Sequence, residues 1–340
     1  MPPNKLYSVA VVGATGMVGR VFLDIMVERH FPLKSLRLLA TSRSAGRKVI
    51  VGEREIEVEV TTNESFAGAD FAFISASGEA SRQYCPIAAK AGAIAIDDSS
   101  AWRMDPRVPL VVPEVNADDV ERHQGIIAIP NCSTTPLVMC LWPIHRVNPI
   151  KRIIADTYQS VSGTGKAAVD ELNTQTEQIL EGKGVVPHVY PHQIAFNLLP
   201  HIDVFLDDGY TKEEWKMVNE TRKIMHDDSI AVSATCVRVP VMISHSEAVH
   251  IELSRPMSPD DVRDILMEAP GVTVQDEPSV NLYPQPWAAA GQDDVFVGRI
   301  RKDSSHPNGI AMWIVSDNLR KGAALNAIQI AEELVNRNLV

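Results

Sequence analysis

The sequence lacks the features by which several classes of protein are recognised. It has no apolar run long enough to cross a membrane, and its 32 lysines and arginines are outnumbered by 43 aspartates and glutamates, for a net charge of -11. Nucleic acids and anionic lipids select for clustered basic residues, which an acidic chain of this kind does not offer. We therefore expect no nucleic-acid partner and no membrane association, although a local basic pocket is compatible with the overall charge.

Cysteine is also scarce, and its spacing matters more than its number. The four cysteines, Cys85, Cys132, Cys140 and Cys236, form no CxxC pair and have no histidine at metal-ligand spacing. This pattern argues against a zinc site and against a disulfide framework. Because free thiols suit a reducing compartment and the first residues show no signal-peptide pattern, we expect a cytoplasmic protein without a bound metal.

The length and the first third of the chain indicate a two-domain α/β protein. At 340 residues the chain exceeds the size at which one hydrophobic core usually stops growing. A short β-rich run at residues 8–12 is followed by glycines and then by a segment with helical spacing of apolar residues. Further strand-like runs at residues 70–76 and 93–97 continue the βα alternation that is typical of a parallel sheet.

The glycine-rich segment GATGMVG at residues 13–19 is a candidate dinucleotide-binding loop. Glycines let the backbone approach a pyrophosphate, and the N-terminus of the next helix meets its charge. The GxxGxxG spacing differs from GxGxxG, so the pattern alone also fits a structural turn. Its position between a strand and a helix favours the dinucleotide interpretation.

The end of the second predicted strand bears on the choice of cofactor. A domain that prefers NAD usually places an acidic side chain there, on the ribose 2′-OH, but residues 41–48 read TSRSAGRK. Small hydroxyls and Arg43 suit a 2′-phosphate, so the sequence favours NADP. A solvated basic loop is the competing interpretation, since exposed arginine and lysine need no ligand.

Cys132 lies in the segment PNCSTTP at residues 130–136, a polar turn that leads into an apolar stretch. Serine and threonine cap helices, so we expect a helix to begin just after the sulfur. The positive end of that helix would lower the pKa of the thiol and make a nucleophile. The alternative is a cysteine that simply packs in the interior.

Several later residues are open to two interpretations. Arg238 stands among valines and needs an anion, which could be an internal carboxylate or a substrate. His245 lies in a polar turn between two strand-like runs and could reach a cleft, but no single one of ten histidines has a strong claim. Glu213 and Lys216 are three residues apart on a predicted helix and by themselves fit an exposed ion pair.

Eight segments in order resemble the aspartate-semialdehyde dehydrogenase family over essentially the whole chain. They are GATGMVG, SSAWR, VVPEVN, PNCSTTP, QSVSGTGK, EEWK, the region 238–245 and SDNLRKGAA. The resemblance implies an α/β fold with a Rossmann-type NADP-binding domain, formed by residues 1–131 with 319–340. It also implies a central α+β domain, residues 132–318, that carries catalysis and the dimer contact.

The same resemblance implies a set of site residues. Cys132 matches the acyl-thioester nucleophile, Gln159 the amide that orients the substrate, and His245 the general acid/base. Arg238 would bind the substrate α-carboxylate and Glu213 its ammonium, whereas Arg103 and Lys216 would hold the phosphate. The positions that match the NADP site are Gly13, Thr15, Gly16, Met17, Val18, Arg43, Ser44, Ser162, Gly163 and Asn318.

The activity implied is the reversible, NADPH-dependent conversion of aspartyl 4-phosphate to aspartate 4-semialdehyde and phosphate, through a thioester on Cys132. This step serves lysine (through diaminopimelate), threonine, methionine and isoleucine biosynthesis, in a homodimer that could pair into a tetramer. Two alternatives are an N-acetylglutamyl-phosphate reductase and a catalytically silent NADP-binding scaffold. The NCST and EEWK segments favour the aspartyl enzyme, and a scaffold would not need Cys132, Gln159, Arg238 and His245 together.

Overall fold

The computed structural model describes residues 5–340, so the first four residues of the predicted nucleotide-binding domain lie outside it. The chain divides into two compact units. The first runs to Pro130 and is completed by Ala323–Val340, and the second comprises Asn131–Gly322. None of the helices in the described part of the chain is long and apolar enough to cross a membrane.

The first unit is built on a seven-stranded sheet in the order β3-β4-β2-β1-β5-β6-β7, in which only the pair β3 and β4 is antiparallel. Its strands are β1 (Tyr7–Val12), β2 (Leu33–Ala40), β3 (Lys48–Val51), β4 (Arg54–Val60), β5 (Phe71–Ile74), β6 (Ile94–Asp97) and β7 (Ile126–Ala128). Its helices are α1 (Met17–Glu28), α2 (Gly78–Lys90), the short α3 (Pro113–Asn116) and the C-terminal α9 (Leu325–Asn336).

The core of this unit follows from the apolar faces of its helices. The sheet is central and β1 is almost entirely buried, as expected of a parallel strand covered on both faces. On α1, the ring of Phe22 stacks on Phe73 of β5 with 4.0 Å between ring centroids. Leu325 and Ile328 of α9 are buried in the same core, so the last helix of the chain belongs to the first unit.

The second unit has a six-stranded mixed sheet in the order β11-β12-β13-β10-β8-β9. Its strands are β8 (Ile150–Gln159), β9 (Ala231–Arg238), β10 (His245–Leu253), β11 (Val272–Val274), β12 (Val295–Lys302) and β13 (Gly309–Ser316). Its helices are α4 (Thr134–Val147), α5 (Lys166–Leu180), α6 (Lys212–Met225), α7 (Pro259–Met267) and the short α8 (Pro286–Ala289).

Three strands of this sheet bring distant residues to one edge. Strands β8 and β9 are parallel, and Gln159 at the end of β8 is in register with Arg238 at the end of β9. Strand β10 runs antiparallel to β8, with Ser246 opposite Tyr158, so it begins at the same edge with His245. The topology therefore places Gln159, Arg238 and His245 together.

Candidate active site

Cys132 lies in the turn before α4, two residues ahead of the first helical residue, Thr134. The side chain of Asn131 closes this turn, because its Oδ1 accepts a hydrogen bond from the N–H of Ser133 at 2.9 Å. The expected hydroxyl cap is not made by Ser133, and Pro136 is the third helical residue. The bond from Ser133 to Asn131 is an Asx turn, in which an asparagine side chain accepts from the backbone two residues further along the chain.

Cys132 differs from the other three thiols in its surroundings. Cys85, Cys140 and Cys236 are buried, whereas Cys132 is partly exposed. Burial raises the pKa of each of the three buried thiols above its ordinary value. Because the thiolate is the nucleophilic form of cysteine, these three are held in the unreactive form.

His245 lies between the sulfur and the backbone of Ser160, the residue that follows β8. Its Nε2 is 3.3 Å from the Sγ of Cys132, and its Nδ1 accepts a hydrogen bond from the N–H of Ser160 at 3.0 Å. The ring is 2 % exposed. Burial, together with the charge of Arg238, lowers the pKa of His245 to about 3, so the imidazole is neutral at physiological pH.

Gly163 lies close to both Arg238 and His245. Arg238 is buried, and its Nη1 donates to the carbonyl of Ser160 at 2.6 Å. A Cβ on Gly163 would lie 3.1 Å from that Nη1 and 3.3 Å from the Nε2 of His245. A side chain at residue 163 would therefore crowd both the guanidinium and the imidazole.

Glu213 is the centre of a buried polar network beneath the turn of Cys132. Its Oε1 accepts hydrogen bonds from the Nδ2 of Asn131 at 2.8 Å and from the Nε2 of Gln159 at 3.3 Å. Its Oε2 is 2.9 Å from the Nζ of Lys216. Burial alone would raise the pKa of Glu213, but the charge and hydrogen bond of Lys216 lower it to about 2, so the carboxylate is ionised.

Lys216 is shared between two carboxylates. Its Nζ is also 2.8 Å from the Oδ2 of Asp203. Burial would lower the pKa of the ammonium, but Glu213 and Asp203 raise it above its ordinary value. The predicted exposed ion pair on α6 is thus a partly buried cluster that contacts the predicted substrate-orienting Gln159 through Glu213.

Asn318 holds the loops on either side of His245. Its Oδ1 accepts hydrogen bonds from the hydroxyls of Ser160 at 3.1 Å and Ser162 at 3.0 Å, and from the N–H of Ser244 at 2.9 Å. Ser244 has a positive φ of 77°, which a non-glycine residue adopts only when its surroundings impose it. Two of the residues predicted to bind cofactor, Ser162 and Asn318, therefore also determine where the histidine lies.

The predicted glycine loop of the first unit is a close approach of two backbone segments. Gly13 has φ of 82°, and a Cβ there would lie 1.9 Å from the carbonyl oxygen of Ser75. A Cβ on Gly19 would lie 2.3 Å from the carbonyl oxygen of Gly13. Glycine is therefore required at position 13 in the loop and at position 19 in α1, which begins at Met17. Its backbone suits a pyrophosphate at the helix N-terminus.

A pocket of about 620 Å³ opens above this loop within the first unit. Of the predicted cofactor positions in this unit, those on its wall are Gly13, Thr15, Gly16, Arg43 and Ser44. Met17 and Val18 do not line the pocket: they form the first turn of α1, and Val18 packs against the core. No carboxylate is among the lining residues, in keeping with the absence of an acid after β2.

Arg103 also belongs to the first unit. It is buried, and its Nη2 donates to the carbonyl of Asp98 at 2.9 Å. The carboxylate of Asp98 accepts a hydrogen bond from Ser75, a residue on the wall of the pocket. Burial raises the pKa of Asp98, against the opposing charge of Arg103.

Sequence reasoning missed three residues that shape the site. Asn131 closes the turn of Cys132, and Ser160 contacts the ring of His245. Gly322 passes so close that a Cβ would lie 3.0 Å from the Cβ of Cys132. Each of the three stands inside one of the segments quoted above, next to or near a predicted residue, which was the available signal.

Comparison with known proteins assigns the family. Residues 8–123 match the model of the semialdehyde dehydrogenase NAD binding domain, and residues 141–321 match that of the semialdehyde dehydrogenase dimerisation domain. Aspartate-semialdehyde dehydrogenase of Aquifex aeolicus is 54% identical over 98% of this chain and 99% of its own length. The chain belongs to the aspartate-semialdehyde dehydrogenase family. The enzyme of the same name from Bacillus subtilis is 51% identical over 98% of each chain.

Solved structures of the family have the same fold. Aspartate semialdehyde dehydrogenase II of Vibrio cholerae superimposes with a TM-score of 0.95 at 46% identity, covering 98% of this chain and 99% of its own. Aspartate semialdehyde dehydrogenase of Candida albicans, solved with NADP, gives a TM-score of 0.79 at 28% identity over 99% of this chain and 100% of its own. The predicted family and the predicted α/β fold class are confirmed.

Proposed function

We propose that this chain catalyses the reversible, NADPH-dependent reductive dephosphorylation of L-aspartyl 4-phosphate to L-aspartate 4-semialdehyde, in the pathway to lysine, threonine, methionine and isoleucine. The observation that carries the proposal is the 3.3 Å contact of Cys132 Sγ with His245 Nε2, at a sheet edge shared with Gln159 and Arg238. A related structure supports the choice of substrate: aspartate semialdehyde dehydrogenase II of Vibrio cholerae was solved as a complex with ASA.

The sulfur of Cys132 supplies the covalent step. Its thiolate attacks the carbonyl carbon of the acyl phosphate, and the bond from this carbon to the bridging oxygen breaks. Phosphate departs, and a thioester remains on the enzyme. NADPH, when bound, supplies the hydride that reduces this thioester. The carbon–sulfur bond then breaks, the aldehyde forms and Cys132 recovers its thiolate. The partial exposure of Cys132, against the burial of the other thiols, is what this role requires.

Arg238 is the group that we assign to the α-carboxylate of the substrate. Its Nη1 is occupied by the carbonyl of Ser160, whereas its Nε is buried and has no hydrogen-bond partner among residues 5–340. The edge formed by Nε and Nη2 therefore remains for a bidentate contact, which is the strongest arrangement of arginine with carboxylate. Gly163 keeps the approach to the guanidinium open.

Glu213, Gln159 and Lys216 are assigned to the rest of the substrate. The ionised carboxylate of Glu213 suits an ammonium, and the amide of Gln159 is held against it. A lysine has three N–H donors, and two of those on Lys216 meet Glu213 and Asp203, so one is left for a phosphate oxygen. Arg103 is assigned to the phosphate by its match to the family.

For the cofactor we propose NADP rather than NAD. Two observations support a dinucleotide with a 2′-phosphate. The glycine loop has no room for a Cβ at Gly13, and the pocket wall carries Arg43, Ser44 and Arg47 but no carboxylate. Basic and hydroxyl groups suit a 2′-phosphate, and the Candida albicans relative was solved with NADP. Met17 and Val18 would contribute through their position at the start of α1, and Ser162, Gly163 and Asn318 are assigned to the cofactor by their match to the family.

We further propose a cytoplasmic homodimer. Residues 141–321 match a model that is named for dimerisation. Static light scattering at several concentrations would measure the assembly, and a mass of one chain at micromolar concentration would contradict the dimer, whereas a mass of four chains would show that dimers pair.

The activity itself is tested in the oxidative direction. Purified enzyme with aspartate semialdehyde and NADP⁺ should reduce the cofactor only when inorganic phosphate is present. N-acetylglutamate semialdehyde is the control substrate, because it lacks the free ammonium that Glu213 is assigned to bind. Preference for that aldehyde, or full activity in Cys132→Ser, would overturn the proposal.

A further inference from the structure

Asn131, the residue before the proposed nucleophile, is hydrogen-bonded at each of its four polar groups. Its backbone N–H donates to the Oε2 of Glu220 at 2.6 Å, and its carbonyl accepts from the N–H of Thr135 at 3.0 Å. In its side chain, Nδ2 donates to Glu213 at 2.8 Å and Oδ1 accepts from the N–H of Ser133 at 2.9 Å. The turn before α4 is therefore held by other parts of the chain as well as by its own residues.

Two of these four bonds come from α6. Glu213 and Glu220 are seven residues apart on this helix, a spacing that places their side chains on the same face. Both side chains are buried. Helix α4, which begins directly after the turn, packs against α6. One face of α6 thus binds both the backbone and the side chain of Asn131.

The same helix carries two of the groups that are assigned to the substrate. Glu213 is assigned to the ammonium, and Lys216, which contacts it at 2.9 Å, is assigned to the phosphate. The bond from Asn131 to Glu220 therefore attaches the residue next to Cys132 to the helix that would bind the substrate. Because attack requires the sulfur and the carbonyl carbon to lie about 3–3.5 Å apart, the position of the turn on α6 affects the rate.

We propose that Glu220 is a positioning residue of the reaction: by accepting the N–H of Asn131, it holds the turn of Cys132 in register with the substrate groups of α6. The inference rests on the proposed function, because this register matters only if Cys132 attacks a substrate that α6 binds. Glu220 acts through Asn131 and not on the reacting atoms.

Loss of this acceptor should displace the nucleophile without unfolding the protein. A buried N–H that loses its partner costs about 1–3 kcal/mol. The turn can recover this energy by moving the N–H of Asn131 towards another acceptor, and Cys132 moves with it as the next residue. A displacement of about 1 Å can lower a rate about 10²-fold. The fold should persist, because Asn131 keeps its three other hydrogen bonds.

Two substitutions separate the hydrogen bond from the packing. Glu220→Gln keeps the shape and an acceptor oxygen, whereas Glu220→Met keeps a similar length and offers no oxygen. In the phosphate-dependent oxidation of aspartate semialdehyde, Glu220→Met should lose about 10- to 100-fold in kcat. KM for the aldehyde should change less than about threefold, because the groups assigned to binding are still present. Glu220→Gln should recover most of the lost kcat. An unchanged kcat in Glu220→Met, equal losses in the two variants, or a loss confined to KM would overturn the inference.

Glu214 offers a matched control on the same helix. It is buried and accepts two backbone N–H groups, those of Thr211 at 2.7 Å and Cys236 at 3.0 Å, neither of which lies in the turn of Cys132. Glu214→Met should therefore lower the urea midpoint at least as much as Glu220→Met does, yet keep kcat within about threefold of the wild type. A loss of kcat equal to that of Glu220→Met would show a general effect of stability and would refute the positioning role.

Thiol labelling distinguishes a displaced nucleophile from an inactivated one. Iodoacetamide needs no alignment with the groups of α6, so Cys132 should be labelled at pH 7 within about threefold of the wild-type rate in Glu220→Met. A labelling rate that falls in parallel with kcat would overturn the inference. If Glu220→Met does not fold by circular dichroism, Glu220→Ala takes its place with the same expected results. Wild-type enzyme without phosphate-dependent activity would instead refute the proposed function.

Discussion

Glu213→Gln provides a quantitative test of the buried network, because the shape of the side chain is kept while its charge and one acceptor oxygen are lost. Glu213 is 5 % exposed and its pKa is about 2, against an ordinary value of 4.5. At about 1.4 kcal/mol per pH unit, this gap corresponds to about 3 kcal/mol of free energy of unfolding. The pKa is lowered on folding, so the contribution is fully present above about pH 4.5 and is lost as the pH falls towards 2.

The assay is urea unfolding of the wild type and the variant, followed by tryptophan fluorescence at pH 7 and at about pH 3. The wild type should be the more stable by about 3 kcal/mol at pH 7 and by less than half of that at pH 3. The matched control is Glu181→Gln, whose partner Lys183 and own side chain are both more than half exposed, so little change is expected at either pH. The reasoning fails if the wild type and Glu213→Gln differ by the same amount at both pH values.

Three further predictions concern the site itself. Gly163→Ala should fold normally by circular dichroism but lose about 10- to 100-fold in kcat/KM, because its Cβ enters the space beside His245; unchanged kinetics would show that this space is not used. Iodoacetamide at pH 7 should label Cys132 well before the three buried cysteines when peptides are followed by mass spectrometry, and equal labelling of Cys85 would contradict an accessible nucleophile. Arg43→Ala should weaken NADPH binding about tenfold in fluorescence titration and leave NADH binding nearly unchanged, whereas equal losses would place Arg43 away from the 2′-phosphate.

Much of the first unit could be predicted because its signals are local. The glycines at 13, 16 and 19 stand between a buried strand and an amphipathic helix, and the structure has β1, the loop and α1 in that order. The reason Gly13 must be glycine is not local, however. Its Cβ would meet the carbonyl of Ser75 at the end of β5, and only the parallel pairing of β1 with β5 brings that oxygen there.

The residues around Cys132 were predictable individually but not as a constellation. Gln159, Arg238 and His245 come from three strands whose pairing no local pattern specifies, so only the resemblance could place them in one site. The contact of Ser160 with His245 was missed because it is made by a backbone N–H, which every residue except proline carries. The predicted hydroxyl cap of α4 is not formed, because the N–H of Thr135 donates to the backbone carbonyl of Asn131 at 3.0 Å and Pro136 has no N–H to donate.

Glu213 and His245 are two titratable side chains of the site that are both kept in one charge state. Lys216 lowers the pKa of Glu213 to about 2, so this group is negative. Burial, with Arg238, lowers the pKa of His245 to about 3, so this group is neutral. Neither charge changes between about pH 4 and pH 8. If kcat/KM rises or falls with pH within that range, the titrating group would therefore be the thiol of Cys132 or the substrate phosphate. A substrate with a different leaving group would discriminate the two, since a limb caused by the thiol should stay in place and one caused by the phosphate should move.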